Sequence, residues 1–213
     1  MPTTADTLQI KPEKMDFRAY SISWNLTKRC NLNCDHCYLD ADFRGGFRTD
    51  ELNTNQCKKV IDQIAEVNPN AFLILTGGEP LLRPDIYEII RYAADKKFMV
   101  VLGTNGTLIN KVNAQKIKDA GAHGVGISID SMDAVKHNKF RGVSGAWEHS
   151  MEAFKILNEV GVDFLIQMSV SDMNYKEIPD VVAFTEKIGA IAFNLYFLVC
   201  TGRGQGNTDI SNE

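Results

Sequence analysis

The sequence predicts an α/β fold: a partial (β/α)6 barrel of the TIM type, built on a parallel sheet. Three observations predict it. Six short runs of apolar and β-branched residues alternate with amphipathic helical patterns. The runs are nearly continuous in apolar character, as strands of a parallel sheet covered on its faces are. Glycine and polar residues gather where the runs end, the rim at which such folds carry their sites.

Residues 1–19 are polar and lack an apolar signal core, so they read as a loose leader. The barrel is expected over 20–203, followed by a polar tail over 204–213. The first strand is "SISWNL" (21–26). After a long connection, "NTNQCKKVIDQIAEV" carries Cys57, Val60, Ile61 and Ile64 at helical spacing, and Asn53 with Gln56 suits a capping box. The second strand is "AFLILT" (71–76). Its helix "PDIYEIIRYAADKK" begins at Pro84 and Asp85 and closes on Lys96 and Lys97. The third strand is "FMVVLG" (98–103), and "NKVNAQKIKDAG" ends at Gly121, a C-terminal cap. The fourth is "HGVGISI" (123–129), followed by a long loop over 130–145. The helix "GAWEHSMEAFKILNEVG" puts Trp147, Met151, Phe154 and Leu157 on one face and stops at Gly161. The fifth strand is "DFLIQMSV" (163–170), with a helix "EIPDVVAFTEKIG" stopping at Gly189. The sixth is "IAFNLYFLV" (191–199). Six units are too few to close an eight-fold barrel, so an open one is expected.

The formal net charge is −4, which gives no broad basic surface for nucleic acid. No apolar run reaches the roughly 20 residues of a membrane span. The expected setting is the cytoplasm. Five cysteines make an odd number, and Cys30, Cys34 and Cys37 are bunched as C-x3-C-x2-C. A secreted disulfide framework spreads an even set along a shorter chain, so metal or redox chemistry is the better reading. Two kinds of metal suit the trio. Zinc in a closed tetrahedron would need a fourth ligand, and His36 supplies one by count. Lying between Cys34 and Cys37, however, its ring is expected to point away. A [4Fe–4S] cluster needs only three thiolates if its fourth iron stays open to an outside ligand. An electron carrier and a zinc-stapled binding domain are the readings from other classes.

The polar strand ends are "TGGEP" (76–80), "GTNGT" (103–107), "SIDS" (128–131) and "VCTGRGQG" (199–206). Together they describe a site for a polar small molecule held by backbone and short side chains. Each has a plainer reading alone. Gly-Gly and Asn-Gly are turn chemistry, and Ser128 and Asp130 suit a helix cap. Cys57 reads as a buried small hydrophobe, and Cys200 as an inert thiol. Tyr38, Phe43 and Phe47 pack the cysteine loop. His123, His137 and His149 read as structural or surface residues.

Taken in order, "CNLNCDHC", "GGEP", "TNG" and "SID" at successive strand ends strongly resemble the radical S-adenosylmethionine enzymes. The resemblance covers essentially residues 20–203. It implies that Cys30, Cys34 and Cys37 ligate a [4Fe–4S] cluster whose open iron binds S-adenosylmethionine. It further implies that Gly77, Gly78 and Glu79 hold the methionine amino group, with Pro80 shaping the turn. Thr104, Asn105, Ser128 and Asp130 would lie near the ribose or methionyl part, and His36 near adenine. Arg141 would pair with the carboxylate. Relatives often carry serine where this chain has Gly103, which removes one hydroxyl contact. The stretches "WNLTKRCNLNCDHCY", "LTGGEPLLRPDI", "KFRGVSGAWE" and "YFLVCTGRG" are similar to the subgroup with a C-terminal iron–sulfur extension, the SPASM-like proteins. Within it they look most like enzymes of haem d1 and alternative haem biosynthesis, with peptide-modifying maturases as the alternative. The implied partners are a low-potential donor of ferredoxin or flavodoxin type and a tetrapyrrole or peptide substrate. No protein acid or base is implied for cleavage. No cysteine follows Cys200, so the C-terminal extension is expected to be missing or truncated, with 204–213 as its start.

Overall fold

Alternating large apolar residues along the six runs drive the architecture, because every second side chain of a strand points to the same face. In the computed structural model, which describes residues 21–46 and 48–206, these runs are strands β1 (Ser21–Asn25), β4 (Phe72–Thr76), β5 (Met99–Thr104), β6 (Gly124–Ser128), β7 (Phe164–Val170) and β8 (Phe193–Phe197). They form one sheet in the order β1-β4-β5-β6-β7-β8, and every pair is parallel. Two short strands, β2 (Arg29–Cys30) and β3 (Asp42–Phe43), make a separate parallel pair inside the first long connection. The expected leader over 1–19, Phe47 and the end of the expected tail lie outside the described residues.

The helices follow the capping chemistry of the sequence. Helix α1 (Thr54–Val67) starts with the capping box of Asn53 and Gln56. Helix α2 is Ile86–Asp95 and α3 is Lys111–Asp119, itself opened by a capping box at Asn110 and Asn113. Helices α5 (Ala146–Val160) and α6 (Ile178–Ile188) stop at Gly161 and Gly189, both left-handed. The stretch 130–145, expected as a loop, contains a further helix, α4 (Ala134–Arg141). Asp133 caps its start by accepting from the Val135 and Lys136 amides, and Gly142 ends it. Its apolar residues do not repeat at helical spacing, so only the caps announced it.

The two faces of the sheet differ. Leu73, Leu75, Val100, Leu102, Val125, Ile127, Ile166 and Met168 are buried in one cluster with Ile61, Ile89, Ile90, Ile117, Phe154 and Leu157 of the helices. Each such side chain contributes about 1.5–3 kcal/mol on burial. The opposite face carries Ser21, Ser23, Thr76, Gly103, Ser128, Gln167 and Ser169, which line a cavity. The expectation of a sheet covered on both faces is therefore corrected. Helices cover one face, while the concave face stays polar and open, as in a curled half-barrel. At the β8 edge, Leu195, Tyr196 and Phe197 are exposed. No described helix is long and apolar enough to cross a membrane.

Candidate functional site

The loops after β1, β4, β5, β6 and β8 meet around a cavity of about 630 Å³, a volume within the range of small-molecule sites. The cysteine loop forms its mouth. Cys30, Cys34 and Cys37 all line the cavity, with the first two buried and the third half-buried. Among the described residues no disulfide joins any two cysteines. Donors approach each sulfur. The Leu32 amide lies 3.4 Å from Cys30 Sγ, and Asn105 Nδ2 lies 3.9 Å from the same atom. The Ala41 amide lies 3.3 Å from Cys37 Sγ, and Arg141 Nη1 lies 3.8 Å from Cys34 Sγ. Such donors favour thiolate over thiol. Burial acts the other way: it pushes Cys30 up to about 12 and raises Cys34 despite the Arg141 charge. Left alone, both would keep their protons. A metal that takes the proton's place reconciles buried sulfurs with donors aimed at them.

Among the described residues no three His, Cys, Asp or Glu side chains converge on one ion position. The His36 ring stacks on Phe140, with centroids 4.0 Å apart and planes 10° apart. A cluster with one thiolate per iron would take the three cysteine sulfurs, which all line the same cavity. The His36 stack also explains its chemistry. Burial lowers its pKa to about 4, so the ring is neutral, and its buried Nδ1 has no hydrogen-bond partner among the described residues.

The far wall is the turn after β4. Gly77 sits at φ +145°, and a Cβ there would stand 2.5 Å from the Thr27 carbonyl oxygen. At Gly78 a Cβ would stand 2.3 Å from the Arg29 carbonyl oxygen. Only glycine lets this turn press against the strand that leads into Cys30. The Gly78 and Glu79 amides donate to the Thr27 and Arg29 carbonyls at 2.7 and 2.8 Å. Glu79 is fully buried and does not line the cavity. Its carboxylate accepts from the Leu81 amide at 3.0 Å, the Thr104 hydroxyl at 2.8 Å and the Asn105 amide at 2.9 Å. Burial raises its pKa to about 6 against these bonds. The Glu79 side chain ties the "GGEP" turn to the "TNG" turn. Pro80 opens a 3-10 turn and likewise lies off the cavity.

Thr104, Asn105 and Ser128 do line the cavity. Asn105 Nδ2 donates to Asn31 Oδ1 at 2.9 Å, and Asn31 Nδ2 donates to the Thr107 hydroxyl at 2.7 Å. The cysteine loop is thus knotted to the third strand's end. Asp130 is buried off the cavity. It pairs with Arg141 at 2.6 Å, and its Oδ1 accepts from the Ser169 amide at 3.0 Å. Burial would raise its pKa, but the Arg141 charge wins and holds the carboxyl below the usual range. Arg141 lines the cavity and keeps a buried Nε without a hydrogen-bond partner among the described residues. At the end of α4, the Phe140 and Arg141 carbonyls accept from the Asp35 and Asn33 amides of the cysteine loop.

Residues that sequence reasoning did not single out complete the site. Gln167, Ser169, Tyr196 and Arg203 line the cavity. Gln167 Nε2 donates to the Tyr196 hydroxyl at 3.3 Å, and β7 and β8 are paired alongside. The polar alternation in "FLIQMSV" was the sequence signal for Gln167 and Ser169, and Arg203 stood in the polar strand end "VCTGRGQG". Cys57 on α1 and His137 on α4 are buried, as packing residues should be.

Comparison with known proteins gives four findings. The Radical SAM superfamily profile matches residues 24–185. The chain is 41% identical over 191 residues to the "AdoMet-dependent heme synthase" of Nitratidesulfovibrio vulgaris, covering 88% of this chain and 50% of that protein. It is 35% identical over 189 residues to the "Pre-heme d1 synthase" of Dinoroseobacter shibae, covering 87% and 45%. Among solved structures, Streptococcus suis SuiB bound to S-adenosylmethionine superposes with a TM-score of 0.74 at 19% identity, covering 91% of this chain and 43% of that one. At that identity the likeness speaks to fold alone. The chain spans about half the length of the curated relatives it matches.

Proposed function

The chain belongs to the radical SAM superfamily, and from that premise we propose that it cleaves S-adenosylmethionine reductively in order to modify side chains of a sirohaem-derived tetrapyrrole. Radical SAM enzymes use a [4Fe–4S] cluster and S-adenosylmethionine. When bound, the cluster supplies the electron that splits the sulfonium, so that a 5′-deoxyadenosyl radical can take a hydrogen from the substrate. The carrying observation is the meeting of three donor-flanked cysteines with the Gly77–Gly78 turn and Asn105 around one cavity.

The chain's own residues have these tasks. Cys30, Cys34 and Cys37 hold the irons. Gly77 and Gly78 offer backbone to the methionine amino group, and Glu79 acts behind them by fixing the turn on Thr104 and Asn105. Arg141 offers guanidinium to the carboxylate, whose two oxygens its fork matches, while Asp130 holds that guanidinium in place. Ser128, Thr104 and Asn105 supply polar contacts to the ribose side. His36 walls the adenine side of the mouth with a neutral ring. The polar concave face excludes no hydrogen-bonding substrate, and Gln167 and Ser169 face it there. The tetrapyrrole reading draws on likeness to the heme synthase and pre-heme d1 synthase. The electron comes from a ferredoxin or flavodoxin, in a cytoplasmic setting.

Anaerobic reconstitution tests the reading. A brown cluster whose spectrum shifts on titration with S-adenosylmethionine is expected. A colourless zinc protein, or a cluster indifferent to S-adenosylmethionine, overturns it. Conversion of a sirohaem-derived tetrapyrrole alongside 5′-deoxyadenosine then tests the substrate.

A further inference from the structure

The chain after β8 turns back over the cysteine loop. Gly202–Gly206 forms a 3-10 turn, and Arg203 within it grips the loop with four bonds. Its amide donates to the Cys37 carbonyl at 3.1 Å. Nε donates to the Cys34 carbonyl at 3.0 Å. Nη1 donates to the Ala41 carbonyl and to Asp40 Oδ1, each at 2.9 Å. All four acceptors lie between the second cysteine and the residues just past the third. Gly202 makes the approach possible. Its φ is +56°, and a Cβ there would stand 2.4 Å from the Cys37 carbonyl oxygen and 2.7 Å from that of Tyr38. The contact is backbone against backbone, with no room for a side chain. Apart from the two-residue pairing of β2 with β3, the cysteine loop has no regular structure of its own to order it.

This strap joins the loop after β1 to the turn after β8, the two edge strands of the sheet. It also sets a guanidinium, ion-paired with Asp40 at 2.9 Å, beside the Cys34–Cys37 limb. Arg203 Nη2 is buried with no hydrogen-bond partner among the described residues, and the side chain lines the cavity.

We infer that Arg203 is a positioning residue for the cluster: its fork presets the Cys34–Cys37 limb before iron binds, and its charge favours the reduced cluster. The inference rests on the reading that Cys30, Cys34 and Cys37 hold a [4Fe–4S] cluster. The two parts have separate physical causes. Planar donors at fixed angles hold several carbonyls at once, which an ammonium on a flexible stem does not do. A nearby cation stabilises whichever redox state is more negative, and reduction adds an electron.

The experiment compares Arg203→Lys, Arg203→Gln and Gly202→Ala with the parent chain, all checked for unchanged circular dichroism. In the metal-free chain, the alkylation rate of each cysteine is read by mass spectrometry. Cys34 and Cys37 should react about tenfold faster in all three variants, the factor that one lost charge-assisted hydrogen bond corresponds to. Cys57 should not change. In the reconstituted chain, iron should pass to a chelator faster in all three. The midpoint potential should fall in Arg203→Gln and stay near the parent value in Arg203→Lys, because lysine keeps the charge. Unchanged alkylation of Cys34 and Cys37 in folded variants overturns the positioning role. Equal acceleration at Cys57 also overturns it, since that marks general loosening. An unchanged potential in Arg203→Gln overturns the charge role. Full cluster uptake by Cys34→Ala would overturn the cluster reading, and this inference with it.

Discussion

The turn at Gly77–Pro80 and the loop that carries the cysteines stand at the same end of the sheet, but they are finished to different degrees. In the turn, the Glu79 carboxylate is fully buried and its oxygens accept from Leu81, Thr104 and Asn105. In and around the loop, His36 Nδ1, Arg141 Nε and Arg203 Nη2 are buried without hydrogen-bond partners among the described residues. Buried polar groups are nearly always paired, so a concentration of exceptions marks a place built for more than folding. Where the chain satisfies itself it makes scaffold; where it does not, it makes a site.

The sharpest way to break this comparison is to remove a sulfur. Replacing any one of Cys30, Cys34 or Cys37 by alanine should abolish 5′-deoxyadenosine formation, while the metal-free chain loses only about 1 kcal/mol of stability. Full 5′-deoxyadenosine yield from any single variant would sink the division. The converse substitution is Glu79→Ala. It strands the Leu81 and Asn105 amides and the Thr104 hydroxyl, so denaturant melts should show a loss of about 3 kcal/mol. A change below 1 kcal/mol would mean that the turn is not scaffold.

Acid sharpens the comparison next. His137 is buried, accepts from the Asp130 amide at 3.2 Å through Nδ1, and has its pKa lowered by burial from 6.5 to about 4. The unfolded chain therefore binds this proton first, and stability should drop as pH falls from 6.5 to 4, by roughly 2–3 kcal/mol at the end of that window. Glu79 has the opposite sign. Its raised pKa means that the folded chain binds the proton first, so its contribution declines as pH rises from 4.5 to about 6. Melts of His137→Phe against pH should lose about half of the first slope, because His36, also lowered to about 4 by burial, contributes over the same window; an unchanged slope would assign it to other groups. The smallest effect belongs to Cys57, buried on α1 and remote from the trio's chemistry. Cys57→Ala should keep the full iron content and cost about 1 kcal/mol in packing. Iron loss there would show that the helix face had been misread.

The sequence by itself determined the six strands, the helices other than α4 with their caps at Asn53, Gly161 and Gly189, and the order of the rim motifs. These are local or periodic facts, set by alternation, capping and turn chemistry within a few residues. Cys30, Cys34 and Cys37 were legible for the same reason, because their spacing is itself the signal. Tertiary structure alone decided which groups at the rim face the cavity. Glu79 and Asp130 stand in motifs beside Gly78 and Ser128, but their carboxylates turn into the protein, to Thr104 and to Arg141. It alone brought Arg203 to Cys34, across 169 positions of chain. It also opened the concave face, which apolar strand composition had hidden. A side chain's direction and its distant partner depend on how the sheet curls and which loops then meet, and no window of neighbouring residues holds that information.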